Sequence, residues 1–448
     1  MKHIRHWLAA AAFLALALAA PRPLFSAAAA AAGTGIGTAQ YINVLQFGAD
    51  NTGVADSAPA AKKAIAAAAN GGTVFFPAGK YRLSETIKIT QSGLTILGDG
   101  RGGSTGKRSV GTVIIMDSAG GGGAGAAFSF ERCNYSGIKN LTITRAAGNQ
   151  GAGAALRLEK TYHCFARELL LAGVDCGLDC VDGISPLVED LDIKNPSGKY
   201  GIWVHGSGRA GEKHNKIDAS LFFRVSGGTG DNTTINWLVV GPNVDGFKIE
   251  DARFVGGGRA LLCARGDPGR GDVRPKYIYT DRFGCDHVNL EGIVIEDAND
   301  VFMTNTWIGQ NKRGSGVVIG EDFTGPALIA NIRIRGSGGH GMHIKGGRNI
   351  YIQNPLIGAC ATSRDLIPAD AKTGCGILIE EKVTHLRVTG GGVCPLPEQG
   401  GRARQHHGIR YTGDSEKARR NFVGISGVDT AENPVPFEPR GLSPGSDM

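Results

Sequence analysis

The sequence predicts an all-β protein, a right-handed parallel β-helix solenoid with a short N-terminal capping helix. Three observations carry this: a glycine-led strand motif that returns at nearly constant spacing, a heavy glycine load with few aromatics, and an alanine-rich helix placed ahead of the first repeat. The repeat is read from glycines that open alternating apolar residues. Gly153, Gly177 and Gly201 lie 24 residues apart, and Gly292, Gly316 and Gly341 lie 24 and 25 apart. Gly376 and Gly408 follow at 35 and 32, where loops have grown, and Gly246 opens Phe-Lys-Ile in the middle stretch. About 24 residues holding two or three short strands make one coil of a solenoid whose coils stack at the strand spacing, roughly 4.8 Å. A leucine-rich repeat would fix Leu and Asn positions, and a propeller blade would need about 40 residues. No single coil can bury its own apolar side chains, so the stack is the core. The 70 glycines follow no collagen period, and aromatics make up only 7% of the 448 residues, as expected of many short strands and tight turns.

The chain opens on a segment with signal-peptide character, residues 1–32. Lys2, Arg5 and two histidines precede an apolar run from Trp7 to Ala20, and Ser26-Ala27-Ala28 fits a small-residue cleavage site. The run is too short to span a bilayer, so a secreted or periplasmic protein, free of the membrane after processing, is expected. Residues 40–430 read as one β-helix domain, and 431–448, with Pro434, Pro436, Pro439 and Pro444, as a loose tail. A helix is expected from about Ser57 to Ala69, capped by Asp56 with Pro59 in its first turn and stopped by Gly71-Gly72. It would cover the open end of the stack, whose unpaired strand edge needs protection. Nine cysteines in an exported chain leave at least one unpaired, and Cys360 with Cys394, ending equivalent segments one coil apart, suggests a disulfide.

In the coil alignment, Phe247/Ile249, Val317/Ile319, Met342/Ile344, Ile377/Ile379 and Ile409/Tyr411 point inward. Lys248/Glu250, Val318/Gly320, His343/Lys345, Leu378/Glu380 and Arg410/Thr412 point outward. The residues preceding the glycines, Tyr200, Asp245, Ser315, His340, Cys375 and His407, form a variable column free for function. Lys345 and Glu380 would meet as a surface ion pair. Asp300, then Glu321 and Asp322 nearly one coil later, then His340 within Gly-His-Gly, would gather two or three carboxylates and a histidine on one face. Like charges held together push one carboxyl's pKa up, which divides acid and base roles. A second group, Arg265 to Arg282, interrupts the repeat and reads as a long loop carrying Arg274, Lys276, Tyr277 and Arg282. Cations there could neutralise a uronate carboxylate and leave a Lys or Tyr as base for β-elimination. Turn-forming Asp and a solvated charged loop are the competing readings of the two groups. His340 with His406 and His407 is too widely spaced for a metal site, and no other metal set is read.

Asn43-Val44-Leu45-Gln46-Phe47-Gly48-Ala49-Asp50, the helix, Gly-Gly-Thr-Val-Phe-Phe-Pro-Ala-Gly-Lys-Tyr at 71–81 and Leu94 to Gly100 together resemble the start of the pectate-lyase-like superfamily, which includes polygalacturonases and rhamnogalacturonases, lyases and phage tailspikes. The Asp300, Glu321-Asp322 and Gly-His-Gly series resembles the polygalacturonase family in particular. That resemblance implies an inverting hydrolase with Asp300, Glu321, Asp322 and His340 as its catalytic group. Lys345 and His343, with Arg274, Lys276, Tyr277 and Arg282, would bind substrate. The sequence departs from that family: Asn299 is adjacent to Asp300, the acidic pair is Glu-Asp, and no Arg-x-Lys follows Gly376. Elimination and a non-catalytic glycan-binding β-helix therefore stay open, as does epimerisation of uronates. Hydrolysis implies no cofactor, and elimination would imply calcium. The net charge of +7 favours an anionic polysaccharide partner, and nothing suggests nucleic acid.

Overall fold

Every described strand runs parallel to its neighbours one coil away. The computed structural model describes residues 41–68, 71–102, 111–117, 125–146, 153–208, 216–228, 234–363, 374–395, 405–430, 433 and 435–438. The expected signal segment at 1–32 lies outside the described residues, as does most of 431–448. Within them, parallel strands link into one continuous sheet that winds as a right-handed β-helix. Each coil contributes to three faces. In one coil these are Val317–Ile319, Ala327–Ala330 and Arg333–Arg335, and they pair with Met342–Ile344, Arg348–Gln353 and Leu356–Gly358 of the next. We call them the groove sheet, the second sheet and the third sheet.

Alternation explains the core. Ile293, Val317, Met342, Ile377 and Ile409 stack along the groove sheet with at most 1% exposure, and Ile249, Phe222 and Met303 do the same for the second sheet. The opening glycines are explained by space. A Cβ on Gly292 would come 2.7 Å from the carbonyl oxygen of Gly316, one on Gly316 2.7 Å from that of Gly341, and one on Gly341 2.5 Å from that of Gly376. None of these three needs a left-handed backbone. They are glycine because the next coil's backbone occupies the place of a side chain. Trp237 and Ala260 replace the glycine in the middle coils, and Trp237 is fully buried against Phe254.

The corner between the second and third sheets is a single residue of positive φ in each coil. Asn305, Asn331 and Asn354 fill it in successive coils, with φ of 50°, 55° and 49°. Asparagine tolerates this region better than other side-chain-bearing residues. Their side chains also form a ladder: Asn354 Nδ2 donates to Asn331 Oδ1 at 3.4 Å, and Asn331 Nδ2 to Asn305 Oδ1 at 3.3 Å.

Several sequence expectations are adjusted. Gly246 does not belong with the groove-sheet glycines. Asp245 pairs with Asp218 and Lys276 on the second sheet, and Gly246 is needed for its φ of 96°. The 265–282 segment is a loop only to residue 275, with a 3-10 turn at Pro268–Arg270, after which Lys276–Asp286 is a strand. The helix spans Ala58–Ala67 with Ser57 at its cap position, and it buries Ala61, Ala64 and Ile65. Asp56 accepts from the Ala58 N–H at 3.0 Å and from the Ser84 hydroxyl at 2.6 Å, tying the helix start to the first coils. The expected tail contributes a strand, Val435–Glu438, paired with His407–Tyr411. Among the described residues no disulfide is formed, so the expected Cys360–Cys394 bridge is not present. Cys360 is buried in the core, whereas the Cys394 thiol reaches the Asp429 carbonyl on the outside at 3.4 Å.

Gly316→Ala is expected to cost about 1–3 kcal/mol, because it forces neighbouring coils apart. Gly424→Ala, where an added Cβ meets nothing within 4 Å, serves as the control. Denaturation midpoints measure both, and equal midpoints would contradict the spatial explanation of the glycine column.

Candidate active-site groove

Outward-facing side chains line up from coil to coil along the groove sheet. The middle row reads Arg157, Asp179, Trp203, Val239, Leu262, Val294, Val318, His343, Leu378 and Arg410, each the Cα partner of the next. Near its centre lies a cavity of about 750 Å³, lined by Glu296, Glu321, Asp322, His340, His343 and Lys345 among others. A second cavity of about 450 Å³ continues from it past Arg265 and Asp322 to Arg274, Asp297 and Thr324.

Asp322 is at the junction. Its side chain is about half exposed and ion-paired with Arg265, whose loop reaches over from two coils earlier. The same arginine's backbone N–H donates to the Glu296 carboxylate at 3.0 Å. Asp297 lies deeper, with a side chain only 10% exposed, 3.3 Å from the Arg274 guanidinium. Arg274 also donates to the Thr324 hydroxyl. Burial pushes the Asp297 carboxyl up from its ordinary value; Arg274 opposes this and the Asp322 charge adds to it. Glu321 is exposed and bonded to Lys382 at 2.8 Å, which holds its carboxyl below the usual range.

The histidines have separate jobs. His340 Nδ1 accepts the Cys375 N–H at 3.2 Å, which leaves the proton of the neutral ring on Nε2. Burial, followed by the neighbouring His343, Arg410 and His407, lowers its pKa to about 4. His343 Nε2 meets Glu380 Oε1 at 2.9 Å, so Glu380 pairs with His343 rather than with Lys345. No group of three or more metal-ligating side chains is gathered among the described residues.

The expected site residues therefore divide. Glu321, Asp322, His340, His343 and Lys345 line one cavity, and Arg274 lines its extension. Asp300 does not join them. It is the second residue of the second-sheet strand Asn299–Thr304, at φ 56°, where burial raises its pKa against the pull of Lys276. Lys276 and Tyr277 belong to the same sheet, with Tyr277 at φ 53°. Arg282 turns the corner to the third sheet and pairs with Asp281 at 2.7 Å. Asp297 and Glu296 were missed. The signal was available in the register: Asp297 and Glu321 each stand five residues after an opening glycine, Gly292 and Gly316, whereas Asp300 stands eight after. Also missed was a cluster of Tyr200, Trp203, His205 and Asp179 farther along the same sheet.

A sequence model of the family described as rhamnogalacturonase A/epimerase, pectate lyase-like, matches residues 41–253. Over that stretch, just under half of its length, the chain is similar to the pectate-lyase-like family, and its parallel β-helix agrees with that likeness. Among solved structures it is similar to the A-module of the Azotobacter vinelandii mannuronan C-5 epimerase AlgE4, at 18% identity and TM-score 0.52 over 91% of this chain and all of that one. It is similar to the family 28 exopolygalacturonase of Yersinia enterocolitica, at 10% identity and TM-score 0.52 over 88% and 79% of the two chains. Tailspike protein 3 of bacteriophage CBA120 matches at 12% identity and TM-score 0.58, over 90% of this chain and 60% of the tailspike. At these identities the shared feature is the fold. No curated protein matches. The family match ends before the coils that carry Asp297 and Asp322.

The lowered His340 pKa has a pH signature. A group whose pKa is about 4 folded and 6.5 in the open chain contributes stability that is fully present above pH 6.5 and lost as pH falls toward 4. Discounted for partial exposure, this amounts to roughly 2 kcal/mol. His340→Gln should flatten the fall in stability across that window, measured by denaturant unfolding at several pH values. An unchanged slope would mean that other groups govern the acid limb.

Proposed function

We propose that this protein is a carbohydrate-active enzyme that hydrolyses glycosidic bonds of an acidic, uronate-containing polysaccharide laid along the groove sheet. The observation carrying this reading is the unequal carboxylate pair: Asp297, nearly buried with its pKa raised, and Asp322, half exposed, in one cavity. Inverting hydrolysis needs such a division. Asp297 would donate its proton to the departing glycosidic oxygen as that bond breaks. Asp322 would take a proton from a water that attacks the anomeric carbon from the opposite side. Arg265 orients Asp322, and Arg265, Arg274 and Lys345 supply cations to a substrate carboxylate. His340, neutral with Nε2–H free, can donate to a sugar hydroxyl. The N-terminal 32 residues support export of the enzyme to where such polymers are found.

Incubation with a panel of uronate polymers tests this, with reducing ends and the absorbance of unsaturated products followed together. Reducing ends should rise without absorbance. Asp297→Asn and Asp322→Asn should each lower the rate at least about 100-fold. Asp300→Asn should leave it within about twofold, because Asp300 lies on another sheet. Activity should fall on the alkaline side as Asp297 loses its proton. Rising absorbance would replace hydrolysis by elimination, and full activity in both carboxylate variants would place the chemistry elsewhere.

A further inference from the structure

Four coils before Val318, the middle row of the groove sheet reaches Trp203, where a separate cavity of about 420 Å³ opens. The Trp203 ring stacks on His205, with 3.7 Å between centroids and 18° between planes. Tyr200 leans on it from 5.1 Å. His205 Nε2 is 3.2 Å from Asp179 Oδ1, and Arg157 approaches the other Asp179 oxygen at 3.6 Å. The rings are therefore held in place before any ligand arrives. The core does not require them, since Ile202 and Val204 of the same strand are the fully buried residues. Trp203 is instead a large, partly exposed aromatic in a concave polar site, the kind of residue that marks binding rather than packing.

The chemistry fits a pyranose ring. The flat indole accepts the C–H face of a sugar, while Asp179 and Arg157 can take its hydroxyls. Lys199, exposed beside Tyr200, adds a cation at the rim for a uronate carboxylate. Between this cavity and the carboxylates, Val239, Leu262, Val294 and Val318 form a short apolar floor. Trp203 and Val318 are four strand spacings apart, about 19 Å.

We propose that Trp203 and Tyr200 form a distal subsite that stacks a sugar ring of the same polysaccharide chain whose bond is cleaved near Asp297 and Asp322. The inference rests on reading the groove as a glycan cleft, and it adds that the cleft selects long chains. A protein carrying Asp322→Asn, titrated calorimetrically with oligogalacturonides and oligomannuronides, isolates binding from cleavage. Trp203→Ala should weaken the affinity for a long oligosaccharide at least about tenfold more than for a disaccharide. Trp203→Phe should recover part of the loss. Tyr351→Ala, an exposed ring on the second sheet, should change nothing. In the otherwise native enzyme, Trp203→Ala should act mainly through KM for polymer rather than kcat. Unchanged long-chain affinity in Trp203→Ala overturns the subsite and leaves the cleavage reading intact. Trp203-dependent binding without any cleavage sinks the hydrolase reading and keeps the subsite. No binding of either oligosaccharide series overturns the inference.

Discussion

The closeness of one coil to the next governs this structure. Parallel strands hydrogen-bond at a fixed separation, and at three successive coils, where the chain turns into the groove sheet, the next coil's backbone leaves no room for a Cβ. Gly292, Gly316 and Gly341 are each backed by the carbonyl of the glycine one coil on. Once that contact is set, register follows: inward residues meet inward residues and outward residues form rows. The asparagine corner repeats the same logic with a polar side chain. There a left-handed turn is tolerated and the amides bond along the axis of the stack. Everything functional is a consequence of rows, because a row is what places residues distant in sequence side by side.

In the groove, depth and charge separate residues that look equivalent in sequence. Asp297, Glu321 and Asp322 are all acidic and all close to an arginine or lysine. Asp297 is desolvated, which raises its pKa despite Arg274. Glu321 is in solvent with Lys382 and stays ionised. The Arg265 loop reaches Glu296 one coil on and Asp322 two coils on. One cation thus organises two coils, which makes the loop part of the cleft rather than a decoration beside it.

Much of the fold was legible, and specific residues show why the rest was not. The glycine-led alternation identified the inward column correctly from Val317 to Tyr411, because burial on a strand has period two. The same period made Gly246-Phe247-Lys248-Ile249 look like a groove-sheet strand, although it belongs to the second sheet: alternation names a face of a strand, not a face of the solenoid. The offset of nearly one coil to the Glu-Asp pair selects Asp300 and passes over Asp297. Counting from the opening glycines would have chosen Asp297, but the depth that raises its pKa is set by Arg274, Thr324 and the loop, which no spacing encodes. The cysteine pair failed similarly. Cys360 and Cys394 end equivalent segments, yet one thiol faces the core and the other faces out.

A solenoid whose coils each add one row measures distance in whole steps. The separation between Trp203 and the carboxylates cannot drift by fractions of a coil. It can change only by gain or loss of an entire repeat, by about 4.8 Å at a time. A cleft built this way carries a digital ruler in its backbone, and related chains with one coil more or fewer would read polymers of correspondingly longer or shorter reach.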